Sequence, residues 1–161
     1  MTERWVINAS PLILLGKAGQ LAWVPRLGAV VVPRPVADEI LAGTEDDPAR
    51  VWLAAGEGKS LITPGAVVPP ELTAWDLGAG ETSVLAWALN APGSEAVLDD
   101  AAARRCAQVY RVPVRGTLGL VVLAKKRGFI AECRPVFERL TVSGLFITPA
   151  LLDQAARAAG E

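Results

Sequence analysis

Short apolar runs alternate along this chain with longer stretches that carry helix signals. Trp5-Val6-Ile7, Ala29-Val30-Val31-Val32, Ser60-Leu61-Ile62-Thr63, Glu95-Ala96-Val97-Leu98 and Val112-Pro113-Val114 are β-prone and too short for helices. Between them, Ser10-Pro11 reads as an N-cap followed by proline at the first helical position, leading into Leu12–Leu15 and stopping near Gly19. Pro33 and Pro35 prepare a helix through Val36–Leu41 to Gly43, and Asp47-Pro48 starts another that runs to about Gly56. Pro64 to Pro70 is a Pro/Gly-rich loop, after which Gly78-Ala79-Gly80 opens a helix to about Asn90. A helix passes through Arg104-Arg105-Cys106, and Leu118–Gly128, Cys133–Ser143 and Pro149–Gly160 are helical.

Alternating strand and helix units with apolar strands predict an α/β fold, a parallel sheet of about five strands covered by helices on both faces. The 161 residues contain no internal repeat or low-complexity tract and are expected to form one domain, 1–161. In such sheets ligands bind beyond the carboxyl ends of the strands. Asn8 follows the first strand and Asp99-Asp100 the fourth.

Two helices add acids at positions that face a core. Glu81 precedes Val84, Leu85 and Leu89 by three, four and eight residues, which puts it on its helix's apolar stripe. Glu39 falls three residues after Val36 and beside Ile40, at the edge of an apolar face, whereas Asp38 points away. Each acid also has a plainer reading. Glu81 suits a helix first turn or a capping box, and Glu39 a half-exposed rim. Asp99 or Asp100 suits an N-cap, with Asp100 four residues from Arg104. Together, however, converging carboxylates repel by roughly 4 kcal/mol per pair at 4 Å and an effective dielectric near 20. Such a cluster calls for a divalent cation, an arginine or raised pKa values. Hard oxygen ligands select Mg²⁺ or Mn²⁺.

Composition narrows the chemistry further. There is no histidine, which removes Ser-His-Asp and Cys-His catalysis and histidine-ligated zinc. Cys106 and Cys133 form no CxxC pattern and read as buried free thiols. No signal-peptide pattern opens the chain and no apolar run nears the roughly 20 residues of a membrane span, so a soluble cytoplasmic protein is expected. Gly16-Lys17 is no phosphate-binding loop, since Ala18 stands where serine or threonine belongs, and Gly78-Ala79-Gly80 lacks a third glycine.

The net charge of −1 conceals an asymmetry. Residues 1–100 hold 13 acids against 6 bases, while 101–139 hold 9 bases against Glu132 and Glu138. A segment at +7 is either a set of solvated helix faces or a surface for nucleic acid.

In order along the chain, VINASPLI, VVVPRPVADEI, LGAGETSVLAWAL, VLDDAAARR, VPVRGTLGL and AKKRGFI resemble PIN-domain proteins, closest to a prokaryotic subgroup related to VapC-type toxins. The resemblance implies a three-layer α/β/α sandwich, a Mg²⁺ or Mn²⁺ ion and endoribonuclease activity. It also implies a homodimer and a small antitoxin partner. By position, the family's four acids fall on Asn8, Glu39, Glu81 and Asp99 or Asp100, with Ser10 and Thr117 as site-edge hydroxyls. Arg104, Arg105, Arg115, Lys125 and Lys126 would then hold RNA through its phosphates. The departure is Asn8, whose amide oxygen can ligate a metal but brings no charge. A catalytically weak RNA- or protein-binding module is therefore the alternative, with another small phosphate-handling α/β enzyme behind it.

Overall fold

The computed structural model describes residues 3–161. Met1 and Thr2, the first residues of the N-terminus in which no leader is expected, lie outside them. The elements run β1 (Arg4–Ile7), α1 (Ala9–Lys17), a 3-10 segment (Leu21–Leu27), β2 (Ala29–Pro33), α2 (Arg34–Leu41), α3 (Pro48–Ala54) and α4 (Gly56–Ser60). There follow β3 (Ile62–Thr63), α5 (Pro70–Thr73), α6 (Ala79–Asn90), β4 (Ser94–Val97) and α7 (Ala101–Val109). The chain continues through β5 (Val114–Arg115), α8 (Thr117–Lys126), α9 (Arg134–Val142) and α10 (Pro149–Ala158).

The five strands form one parallel sheet in the order β3-β2-β1-β4-β5, flanked by helices in the expected three-layer arrangement. Val6 and Ile7 of the central strand are wholly buried, as are Val32, Val97 and Leu98, so the middle of the sheet is apolar on both faces. After β1 the chain turns first towards β2 and β3, then returns to place β4 on the other side of β1. The direction of winding therefore reverses between β1 and β4, where parallel sheets open a crevice at their carboxyl ends. Ile7 pairs with Val97 there, and the Asn8 amide extends the ladder by donating to the Val97 carbonyl at 3.2 Å.

Several boundaries differ from the sequence reading, each for a local reason. The N-cap position of helix α1 is held by Asn8, not Ser10, which becomes an exposed second residue of the helix. Ser60 closes α4 rather than opening a strand: its hydroxyl donates to the Glu57 carbonyl and the Leu61 amide to Gly58. That leaves two residues for β3. Strand β5 starts at Val114 rather than Val112 because the Val112 amide is spent on the Ala107 carbonyl at the end of α7, at 2.8 Å, and Pro113 has no amide to donate. The 3-10 segment had no clear signal in its sequence. It buries Leu21, Trp23, Val24 and Leu27 and is tied by the Trp23 indole donating to Gln20 Oε1 at 2.8 Å. Both cysteines are buried and free, although Cys133 caps α9 instead of lying within it. Among the described residues no helix is long and apolar enough to cross a membrane.

Candidate metal centre

Asparagine is among the best N-cap residues because its side chain accepts from the first free amides of a helix. Asn8 occupies the N-cap of α1 with extended backbone, yet its side chain makes no capping bond. Its Nδ2 instead reaches across to Glu81 Oε1 at 3.5 Å, at the limit of hydrogen bonding, and its Oδ1 is buried without a partner. A buried, unmatched amide oxygen costs about 1–3 kcal/mol. The residue as a whole is 3 % exposed, so solvent does not relieve it.

Gly80 explains how three elements come this close. A Cβ at that position would stand 2.8 Å from Glu39 Oε2 and 3.0 Å from Asn8 Oδ1, so the first turn of α6 admits both groups only because the residue is glycine. Likewise a Cβ on Gly78 would meet the Glu81 carboxylate. Helix α2 contributes Glu39, α6 contributes Glu81, and the exit of β1 contributes Asn8 between them. Val36 and Ile40 on α2, and Val84 and Leu85 on α6, are buried and fix the two helix faces that carry the acids.

Although Glu39 is exposed as a residue, its carboxylate tip is turned onto Gly80. Burial of that tip first, and the neighbouring Glu81 carboxylate second, push its pKa up from the ordinary value. With Nδ2 towards Glu81, the unpartnered Asn8 Oδ1 lies with Glu39 Oε2 beside Gly80. Oxygen acceptors thus gather at the first turn of α6, an arrangement that a divalent cation relieves. Two carboxylates and an amide oxygen are hard ligands of the kind Mg²⁺ and Mn²⁺ take, so the donor set fits such an ion.

The fourth position lies apart. Asp99 follows β4 on the other side of the crevice, and Thr117 holds both its oxygens: the backbone amide donates to Oδ1 at 2.9 Å and the hydroxyl to Oδ2 at 2.5 Å. Thr117 is wholly buried at the start of α8, so it anchors Asp99 rather than standing at an open edge. Asp100 caps α7, accepting from the Ala103 amide at 2.9 Å, and makes no ion pair with Arg104. Arg104 donates to the Leu98 carbonyl at 3.0 Å, and a Cβ on Gly116 would stand 3.0 Å from both its Nη1 and Asp99 Oδ1. Among the described residues no three Asp, Glu or Cys side chains converge closely enough to hold an ion, so the gathered set is Asn8 with Glu39 and Glu81.

The basic residues divide. Arg104 and Lys126 line a groove of about 750 Å³ that includes Asp99, and Arg104 with Arg105 lines a neighbouring hollow of about 330 Å³. Arg115 also lines the groove but is committed to Glu95 at 3.0 Å and lies over the Trp5 ring. Lys125 points elsewhere, paired with Glu161 at 2.8 Å.

A family model described as DUF3368: PIN domain matches residues 4–161. No curated protein and no solved structure matches the chain. The parallel order β3-β2-β1-β4-β5, with Asn8 and Asp99 following the two strands at its reversal, agrees with that match. The chain belongs to the PIN-domain family, whose members are generally nucleases.

Proposed function

We propose that the protein is an endoribonuclease that works with one Mg²⁺ or Mn²⁺ ion held by Asn8, Glu39 and Glu81, with Asp99 facing the same crevice. The observation that carries this reading is the diverted cap: Asn8 forgoes the capping bond of α1 and leaves Oδ1 unpartnered beside two carboxylates. A hard cation bound there supplies an activated water and neutralises charge on a phosphodiester. Glu39 and Glu81 provide its countercharge, and Asn8 contributes a neutral oxygen. Thr117 keeps the Asp99 carboxylate in one orientation at the far side. Arg104 and Lys126 present positive charge to the backbone of the nucleic acid. The resemblance to VapC-type toxins extends the reading to a dimeric toxin restrained by a small antitoxin. Induced expression with and without a co-encoded short partner tests that extension.

Purified protein mixed with single-stranded and structured RNAs in Mg²⁺, Mn²⁺ or EDTA tests the central reading. Cleavage is expected with a divalent ion and not in EDTA; cleavage that persists in EDTA overturns it. The neutral Asn8 favours a second reading, a binding module with little catalysis. Under it, native protein is inert and Asn8→Asp restores metal-dependent cutting.

A further inference from the structure

The sheet ends at β5, and the outer side of that strand pairs with no other. In a parallel ladder a residue turns both of its backbone groups towards one neighbour, and the next residue turns them the other way. The Ala96 amide donates to the Pro113 carbonyl at 2.8 Å and the Leu98 amide to the Arg115 carbonyl at 3.0 Å, so Pro113 and Arg115 face β4. Val114, between them, turns its amide and carbonyl outward, where neither bonds to a loop or side chain among the described residues. An edge of two residues limits indiscriminate pairing, so any selectivity must come from what borders it.

Two different surfaces border it. Val114 lines a hollow of about 330 Å³ with Arg104, Arg105 and Gln108 of α7, and no acid lines it. The Arg105 side chain makes no ion pair among the described residues. Arg115, the next residue along β5, turns to the opposite face, where it lies over Trp5 and lines the larger groove with Leu118 and Val122 of α8. One face beside the edge is therefore cationic and the other largely apolar.

We propose that β5 accepts an added strand from a protein partner. An extended segment bonds through its backbone to the Val114 amide and carbonyl, setting an acidic side chain into the Arg104–Arg105 hollow and an apolar one against Leu118 and Val122. Successive side chains of a strand point to opposite faces, so a segment that alternates acidic and apolar residues fits both surfaces at once. The outward amide and carbonyl favour a polypeptide, which offers both complementary groups from one backbone. The proposal does not rest on the nuclease reading, since it uses none of Asn8, Glu39 and Glu81.

Fluorescence anisotropy in EDTA with a labelled peptide of about eight residues, alternating valine and glutamate, tests it. Native protein is expected to bind this peptide about tenfold or more tightly than one alternating valine and lysine. Val114→Pro removes the outward amide and no bond to β4, a placement that edge strands accept for proline. It should weaken binding about fivefold or more with little change in Tm. Arg105→Glu should weaken it by about tenfold. In native protein the bound peptide should slow hydrogen exchange at the Val114 amide, a reading that stands even where the proline variant does not fold. Equal affinity for the two charge patterns, binding that Val114→Pro leaves unaltered in a folded variant, or Val114 exchange that the peptide does not slow overturns the proposal. A single-stranded RNA that binds native protein and Val114→Pro alike, while neither takes the peptide, overturns it too and returns the hollow to nucleic acid. Loss of metal-dependent cleavage, in contrast, would sink the nuclease reading and leave the added strand standing.

Discussion

Replacing Glu39 by glutamine should stabilise the metal-free protein, an unusual outcome for a residue proposed to be functional. The carboxylate of Glu39 is pushed up in pKa by burial against Gly80 and by Glu81. At neutral pH it is ionised at a cost. Two unit charges about 6 Å apart repel by about 0.7 kcal/mol in water and about 3 kcal/mol at an effective dielectric near 20. Glu39 stands at the rim and is largely exposed, so the lower part of that range applies, about 1 kcal/mol. For a chain of 161 residues this corresponds to roughly 2–4 °C in Tm. A carboxyl whose pKa is higher folded than unfolded penalises the fold at high pH, and the penalty fades as pH falls through the raised value. The advantage of Glu39→Gln should therefore be full at pH 7 and close as pH approaches the ordinary carboxyl value of 4.5. With Mn²⁺ the ranking should invert. Ion at a hundred times its Kd adds about 2.7 kcal/mol to native protein and little to the variant. Scanning calorimetry in EDTA and in Mn²⁺ reads both. A variant less stable than native in EDTA at pH 7, or equally stabilised by Mn²⁺, would rule out a strained Glu39 carboxylate that an ion relieves.

Asn8→Asp adds a third charge to the pair, so Mn²⁺ affinity measured calorimetrically should rise about tenfold or more, with Tm in EDTA at pH 7 falling. Thr117→Val removes the hydroxyl that donates to Asp99 Oδ2 inside a buried site; unfolding in urea should show a loss of about 1–3 kcal/mol, and Thr117→Ser should retain most of it. Glu161 accepts from Lys125 Nζ and from the Cys133 and Arg134 amides, which lower its pKa to about 2. Its contribution is complete above the ordinary 4.5 and is lost as pH falls through about 2, so Glu161→Gln should be less stable than native at pH 7 with a gap that narrows in acid. The same variant should ease the Cys133 thiol down from about 11, where burial and then Glu161 hold it.

The strands and most helices were legible because their apolar periods are strong and their ends carry proline, glycine or a capping side chain. The placement of Glu81 was legible for the same reason: an acid on the stripe of Val84 and Leu85 contradicts the pattern around it. Asn8 was visible as a strand exit, but its refusal to cap α1 was not, since local preference alone assigns the cap bond. The anchoring of Asp99 by Thr117 joins residues 18 apart, and only the adjacency of β4 and β5 brings them together. Gly80 carried no distinctive sign either. Its role is a close approach between three elements, which is a property of packing rather than of a turn. The division of the basic segment, with Lys126 lining the groove and Lys125 tied to Glu161, depends on which way one helix end faces.

If carboxylates around Gly80 hold an ion on which RNA cleavage depends, the rate of cleavage of a labelled RNA against free Mn²⁺ must separate native protein from Glu81→Gln prepared alike. Native protein should show a saturable rise from no activity in EDTA, and Glu81→Gln should stay near the EDTA level at the same Mn²⁺ concentrations. Equal curves for the two proteins, or cutting by native protein that ignores Mn²⁺, would contradict it.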